Sequence, residues 1–156
     1  MIGGTRMLLR DVSEEDAEAI AELITDFTNL KTTAAQVQQR LARSRGIEHP
    51  ILAELSGNVV GFASLRLLNY LGEEAPYAEI SELFVLERYR RRGIARALMA
   101  ELEVRARAAG ASSVVVLTAA DNDTAIALYQ AMGFQEFSTA LQKWFIEDRP
   151  YRERRE

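Results

Sequence analysis

The sequence predicts an α/β fold with a mixed sheet, one domain over residues 1–156, in the order β-α-α-β-β-β-α-β-α-β-β. Three observations predict it. Leu83-Phe84-Val85 is apolar, passes through the charged turn Leu86 to Arg92, and leads into Ile94, Leu98 and Leu102 at helical spacing. Val114-Val115-Val116-Leu117 is apolar at every position, the pattern of a parallel strand covered on both faces. Ile51–Leu55 and Val59–Leu68 flank Ser56-Gly57-Asn58, a hairpin turn. A parallel pair joined by a helix crosses over right-handed, so Tyr77–Val85 and Val114–Leu117 should be neighbours.

Each element has a local reason. Met7 to Val12 is a short apolar strand. Ser13 is a good N-cap, with Asp16 three residues on as a variant of the capping box. Ala17, Ile20, Ile24 and Phe27 share one helical face, so the first helix runs to about Asp26. Thr33 starts a second helix through Arg43, with Ala34, Val37 and Leu41 inward. Tyr70 to Pro76 is a polar link before the strand Tyr77–Val85. The long helix runs from Ile94 to about Ala109, and Gly110 closes it. A last helix spans Thr124 to Met132, stopped by Gly133. Phe134–Phe137 and Leu141–Ile146 read as two final strands. Edge strands in this C-terminal third suggest a homodimer. The charged tail from Asp148 to Glu156 should fray.

Composition narrows the function. The chain has no cysteine, which rules out disulfides, a thiolate zinc site and a cysteine nucleophile. No apolar run approaches a membrane span, and Met1 to Arg6 lacks the apolar core of a signal peptide. A cytoplasmic setting agrees with this. The formal charge of -4 speaks against nucleic acid as a partner and weakly suits a cationic substrate. No internal repeat, low-complexity segment or linker interrupts the chain.

The turn before the long helix carries the strongest signal. Gly93 and Ala95 leave little side-chain bulk over the first helical N–H groups, which have no partner inside a helix and sit at its positive pole. Arg90, Arg91, Arg92 and Arg96 add full charges there. Neither a dinucleotide fingerprint nor a P-loop is present. The spacing Arg90-x-x-Gly93-x-Ala95 between strand and helix resembles the acyl-CoA pyrophosphate-binding turn of the GNAT N-acetyltransferase superfamily. Asn122-x-x-Ala125-x-x-Leu128-Tyr129-x-x-Met132-Gly133-Phe134 resembles the second motif of that superfamily.

The resemblance covers the whole chain and implies the GNAT acyl-CoA N-acyltransferase fold, with the sheet splayed between its fourth and fifth strands to admit the CoA arm. It implies acetyl-CoA as co-substrate, no metal, and a primary amine as acceptor. Arg90, Arg91, Arg92, Gly93, Ile94, Ala95 and Arg96 would hold the diphosphate. The backbone of Phe84 and Val85 would pair with pantetheine like an added strand, and an N–H there would polarise the thioester carbonyl. Asn122 would bond the pantetheine arm, and Tyr129 would protonate the leaving thiolate; a helix cap and a core aromatic are their structural alternatives. Asp26, Phe27 and Asn29 would belong to the acceptor wall.

Glu79 and Glu82 lie on one strand, where a buried carboxylate is costly unless paired or used. Their odd spacing puts them on opposite faces of a regular strand, so only one can face the reaction centre unless a bulge intervenes. In the family an acidic residue on this strand often accepts the amine proton. Glu82 is the first candidate and Glu79 the second; pairing with an arginine or lysine is the alternative for either. His49 reads as a surface residue and Glu73-Glu74 as a solvated loop. Trp144-Phe145 fits core, dimer contact or substrate wall. The acceptor favoured is a small-molecule amine; a protein N-terminus or lysine, and a non-catalytic acyl-CoA-binding module, are the other readings.

Overall fold

Five strands of this chain form one sheet because their apolar runs are short and bounded by turn residues. The computed structural model describes residues 6–143 and Phe145. The chain divides into two units that meet between Leu117 and Thr118. In the first, β1 (Met7–Asp11), β2 (Glu48–Leu55), β3 (Asn58–Leu68), β4 (Tyr77–Val85) and β5 (Val114–Val116) lie in that spatial order. The first three pairings are antiparallel, and β4 with β5 is parallel. The class is the expected one.

Two helices, α1 (Ala17–Thr28) and α2 (Ala34–Ser44), cover one face of this sheet; α3 (Ile94–Ala108) covers the other. Ile20, Leu23 and Val37 pack with Leu52, Phe62 and Phe84, all nearly inaccessible to solvent. Across the sheet, α3 comes down directly on β3 at Gly61. A Cβ there would stand 3.1 Å from Ile94 Cγ2 and 3.1 Å from Leu98 Cδ1, so the missing side chain is what lets the helix lie this close.

The start of α1 is built as the sequence suggests. Asp16 accepts from the Ser13 N–H at 2.7 Å and closes a 3₁₀ turn, Glu14–Asp16, ahead of the helix. Arg10 on β1 holds the same carboxylate with both terminal nitrogens, at 2.8 and 2.6 Å, and Glu54 on β2 with its Nε at 2.8 Å. The Arg10 guanidinium, helped by the Ser13 donors, pulls Asp16 from its ordinary 3.8 down to about 2. The C-terminus of α3 closes as a Schellman motif. Ala111 N–H bonds the Ala106 carbonyl and Gly110 N–H the Arg107 carbonyl, with Gly110 at φ +79°.

Two expectations are corrected. Residues 134–143 carry no strand or helix, so the strand expected at Phe134–Phe137 does not form; of the strand expected at Leu141–Ile146, Trp144 and Ile146 lie outside the described residues. Phe137 and Leu141 are 82% and 93% exposed, so aromatic and apolar character there finds no ladder partner, and strand preference without one makes no sheet. β5 is also shorter than expected and half-buried along its length, because among the described residues it pairs on one side only.

The second unit contains α4 (Asp123–Ala131). Among the described residues, no helix is long and apolar enough to cross a membrane.

Candidate functional site

A bulge in β4 decides where its carboxylates point. Glu79 pairs with Arg66 and Ile80 with Leu65, but Glu82 pairs with Ser64, so Ser81 is an extra residue in the register of β4 against β3. Glu79 and Glu82 therefore lie opposite Arg66 and Ser64, two positions apart on β3 and on the same face. The opposite-face arrangement of a regular strand does not hold.

The two glutamates have different surroundings. Glu79 is gripped by Arg66, whose Nη2 lies 2.9 Å from both carboxylate oxygens. That bond raises the Arg66 pKa above its ordinary value. Glu82 lines a cleft of about 80 Å³ on the α1–α2 side of the sheet, with Ser64, Glu48 and the apolar side chains of Ile20, Val37 and Phe62. Glu48, at the start of β2, reaches across β3: its Oε2 accepts from Ser64 Oγ at 2.6 Å and from Ser81 Oγ at 2.6 Å.

The other edge of β4 is paired over a short stretch. Its pairing with β5 covers only Ala78–Ile80, and the strand continues to Val85 with no further partner on that edge among the described residues. Leu86 N–H bonds the Val60 carbonyl of β3. By the alternation of an extended chain, the Phe84 N–H also faces β3 and the Val85 N–H faces the β5 edge. This is where a splay between the fourth and fifth strands is expected.

At the exit of β4 the chain forms the 3₁₀ turn Glu87–Tyr89 and then two left-handed residues, Arg91 at φ +62° and Gly93 at φ +80°. Gly93 is the N-cap of α3 and no side chain caps that end. A Cβ on Gly93 would meet nothing within 4 Å, so the space above the turn is open. The arginines differ in their commitments. Arg90 donates through Nε to the Val85 carbonyl at 3.1 Å, and its guanidinium lies 6.0 Å from the Phe27 ring. Arg92 and Arg88 both lie over Tyr89, at 5.3 and 5.2 Å. Arg90, Arg91, Arg92 and Arg96 are all exposed, while Ile94 is buried and Ala95 half-buried.

Asp26 and Phe27 brace this region. Asp26 accepts from the Glu87 N–H at 3.2 Å, and the Phe27 ring packs on Phe84 at 4.6 Å between centroids. Asn29 is the left-handed residue that ends α1. His49 is exposed on β2, and Glu73 and Glu74 are exposed in the link before β4.

In the second unit, Asn122 is the N-cap of α4, and its Oδ1 accepts from the Ala125 N–H at 3.3 Å. The Tyr129 ring lies 5.9 Å from that of Phe134. A Schellman closure holds this pair: Phe134 N–H bonds the Tyr129 carbonyl and Gly133 N–H the Gln130 carbonyl, with Gly133 at φ +90°.

Residues 16–134 match the model of the acetyltransferase (GNAT) family, about three quarters of the chain. The protein belongs to that family. Among curated relatives of this GNAT chain, an IAA acetyltransferase of Azospirillum brasilense is 35% identical over 86 residues, 55% of this chain. The chain spans about half the length of that relative, 54%. A putative acetyltransferase from Agrobacterium tumefaciens has the same fold, with a TM-score of 0.81 at 24% identity over 88% of this chain and 99% of that one. So does aminoglycoside N-acetyltransferase AAC(6')-Iy, solved with CoA, at 0.79 and 20% over 90% and 95%.

The sequence does not single out Glu48, Ser64 or Ser81. A β2 that begins at Ile51 leaves Glu48 outside the strand, whereas the structure starts it at Glu48. The alternation Glu48, Pro50, Leu52, Glu54 was the available signal, since it continues the strand's inner face back to a carboxylate. Nothing local marks Ser81 as a bulge. Among the described residues, no group of three or more histidines, aspartates or glutamates is placed to hold a metal ion.

Proposed function

We propose that this protein moves an acetyl group from acetyl-CoA to a primary amine by direct attack in a ternary complex, with a small molecule as acceptor. The observation that carries the reading is β4. Its bulge turns Glu82 into the cleft on one side, while its pairing with β5 covers only Ala78–Ile80 and the strand leads on to an uncapped helix start flanked by arginines.

The residues fit acetyl-CoA. The open space over Gly93 and the bare start of α3 suit a diphosphate held by the N–H groups of Ile94 and Ala95, with the exposed Arg91, Arg92 and Arg96 as counter-charges. The edge at Val85 suits an added strand. As co-substrate, acetyl-CoA supplies the acetyl group and a thiolate leaving group. Glu82 takes a proton from the acceptor ammonium, directly or through water, and Glu79, held by Arg66, is the weaker candidate. The Val85 N–H holds the developing oxyanion. Asn122 bonds the pantetheine arm, on the strength of the motif it shares with the family, and Tyr129 gives its proton to the thiolate. A phenol hydroxyl is a proton donor of the kind such a step uses.

A small acceptor is supported by the size of the cleft and by the names of the relatives, one an aminoglycoside N-acetyltransferase and one an IAA acetyltransferase. The test is calorimetry with acetyl-CoA together with thiol release over a panel of aminoglycosides, polyamines, amino acids and short peptides. Binding with release for a small amine is expected. Release only with peptides would move the acceptor to protein; binding without any release would leave an acyl-CoA-binding module. Tyr129→Phe should lower kcat by roughly 10- to 100-fold with acetyl-CoA affinity unchanged, read in the same assays.

A further inference from the structure

We infer that the acceptor is an amine that also carries a carboxylate on an apolar body, as an amino acid does, and that Arg40 on α2 receives the carboxylate. This deepens the proposed function and rests on its reading of Glu82 as the group that takes the amine proton. The cleft has a floor and two walls. Across the floor, Pro50, Ser64 and Glu82 are register partners in one row over β2, β3 and β4. One wall is α1 and the other α2, with Arg40 among the lining residues of α2. Arg40 follows Val37 by three residues, so it stands one turn along, on the flank of the helix face that Val37 buries. Arg40 is exposed and Glu82 half-buried, so the guanidinium belongs to the mouth of the cleft and the carboxylate to its depth.

The polar side chains of the cleft set what a ligand must bring. Among the described residues that line it, three side chains can donate a hydrogen bond: Ser44, Ser64 and Arg40. Ser44 gives its hydroxyl hydrogen to the carbonyls of Arg40 and Leu41, at 2.9 and 3.3 Å, inside α2. Ser64 gives its own to Glu48 at 2.6 Å. Arg40 is the side-chain donor left to face a ligand. Arg45 is paired with Glu14 and Arg66 with Glu79, whereas among the described residues Arg40 makes no ion pair. A guanidinium placed this way fits a carboxylate, planar fork to planar fork. The second carboxylate of the cleft, Glu48, already accepts from Ser64 and Ser81 and lies 4.0 Å from Arg66. The walls are apolar: Ile20, Val37 and Phe62 are buried and offer no hydrogen bond. A sugar ring, with hydroxyls all round, would lose its water there without replacement. A polyamine would set a second ammonium against Arg40, and that repulsion discriminates against it.

The experiment measures thiol release from acetyl-CoA with matched acceptors that differ by the carboxylate: leucine against isoamylamine and phenylalanine against phenethylamine, with spermidine alongside. Expected for the parent protein is a kcat/KM about 10-fold or more higher for the amino acid of each pair. Arg40→Ala should remove most of that preference through KM, with kcat for the amino acid changed less than about three-fold, since the carboxylate is bound alike in ground and transition states. Arg40→Lys should keep part of the preference, and Arg40→Glu should reverse it in favour of the plain amine. Arg40 is exposed on a helix, so these variants should fold, and acetyl-CoA affinity in calorimetry should stay within about two-fold. A parent protein that prefers the plain amine or spermidine would overturn the proposal and leave acetyl transfer to a small amine standing. So would a preference for the amino acid that survives Arg40→Ala and Arg40→Glu. No release from any member of the panel, with acetyl-CoA bound, would remove that reading and the proposal with it.

Discussion

The starts of α2 and α3 are made in opposite ways. At α2, Thr33 accepts from the Gln36 N–H at 3.3 Å and Gln36 Oε1 accepts from the Thr33 N–H at 2.9 Å, so side chains occupy the groups a helix leaves over. At α3, a left-handed glycine takes the cap position, no side chain closes the end, and four arginines stand nearby. The first arrangement spends its polar groups on the helix itself. The second leaves them facing outward in a positive field. A glycine cap gives up only a few tenths of a kcal/mol against a side-chain cap, and on the proposed reading the N–H groups it leaves bare hold the diphosphate.

That contrast can be broken at Gly93 with the largest effect. Gly93→Val should weaken acetyl-CoA binding by at least ~100-fold in calorimetry, because a β-branched residue resists φ +80° and would reshape the turn. The space around it is open, so the protein should still fold. Gly93→Asn, which tolerates the left-handed region, should bind more nearly as the parent does. Next comes the seat of α3. Gly61→Val should destabilise by about 1–3 kcal/mol in denaturant unfolding, since its methyls press on Ile94 and Leu98. Because it tilts the start of α3, affinity for acetyl-CoA should fall with stability.

Asp16 tests another capped start, the 3₁₀ turn ahead of α1. Its pKa is lowered in the folded state to about 2, so its contribution is complete above the ordinary 3.8 and is lost as pH falls through about 2. The shift corresponds to about 2 kcal/mol, and Asp16→Asn should flatten that part of a stability profile measured between pH 5 and 2. Thr33→Ala is the smallest change, about 1 kcal/mol of stability with acetyl-CoA affinity untouched. A drop in affinity there would blur the distinction between the two helix starts.

The α3 start was legible in the sequence because its determinants are local. Gly93, the arginines and the spacing of Ile94, Leu98 and Leu102 lie within one short stretch, and Gly110 announces the far end of the helix. The faces of Glu79 and Glu82 were not legible. They depend on how β4 registers against β3, and the extra residue at Ser81 is a property of the pairing rather than of either strand alone. Glu48 was hidden for the same reason, since its partners lie 16 and 33 residues away. The aromatics after Gly133 misled in the other direction: Phe134 and Phe137 favour a strand, yet the chain there joins no ladder.

The last turn of α1 has a consequence for engineering. Asp26 tethers the Glu87 amide, Phe27 leans on Phe84, and Arg90 lies beside the same ring. The residues proposed for the acceptor wall and the loop proposed to hold the diphosphate thus share one joint. Swapping that corner for another enzyme's to change substrate preference would also disturb the grip on the nucleotide, so the two traits should be inherited together.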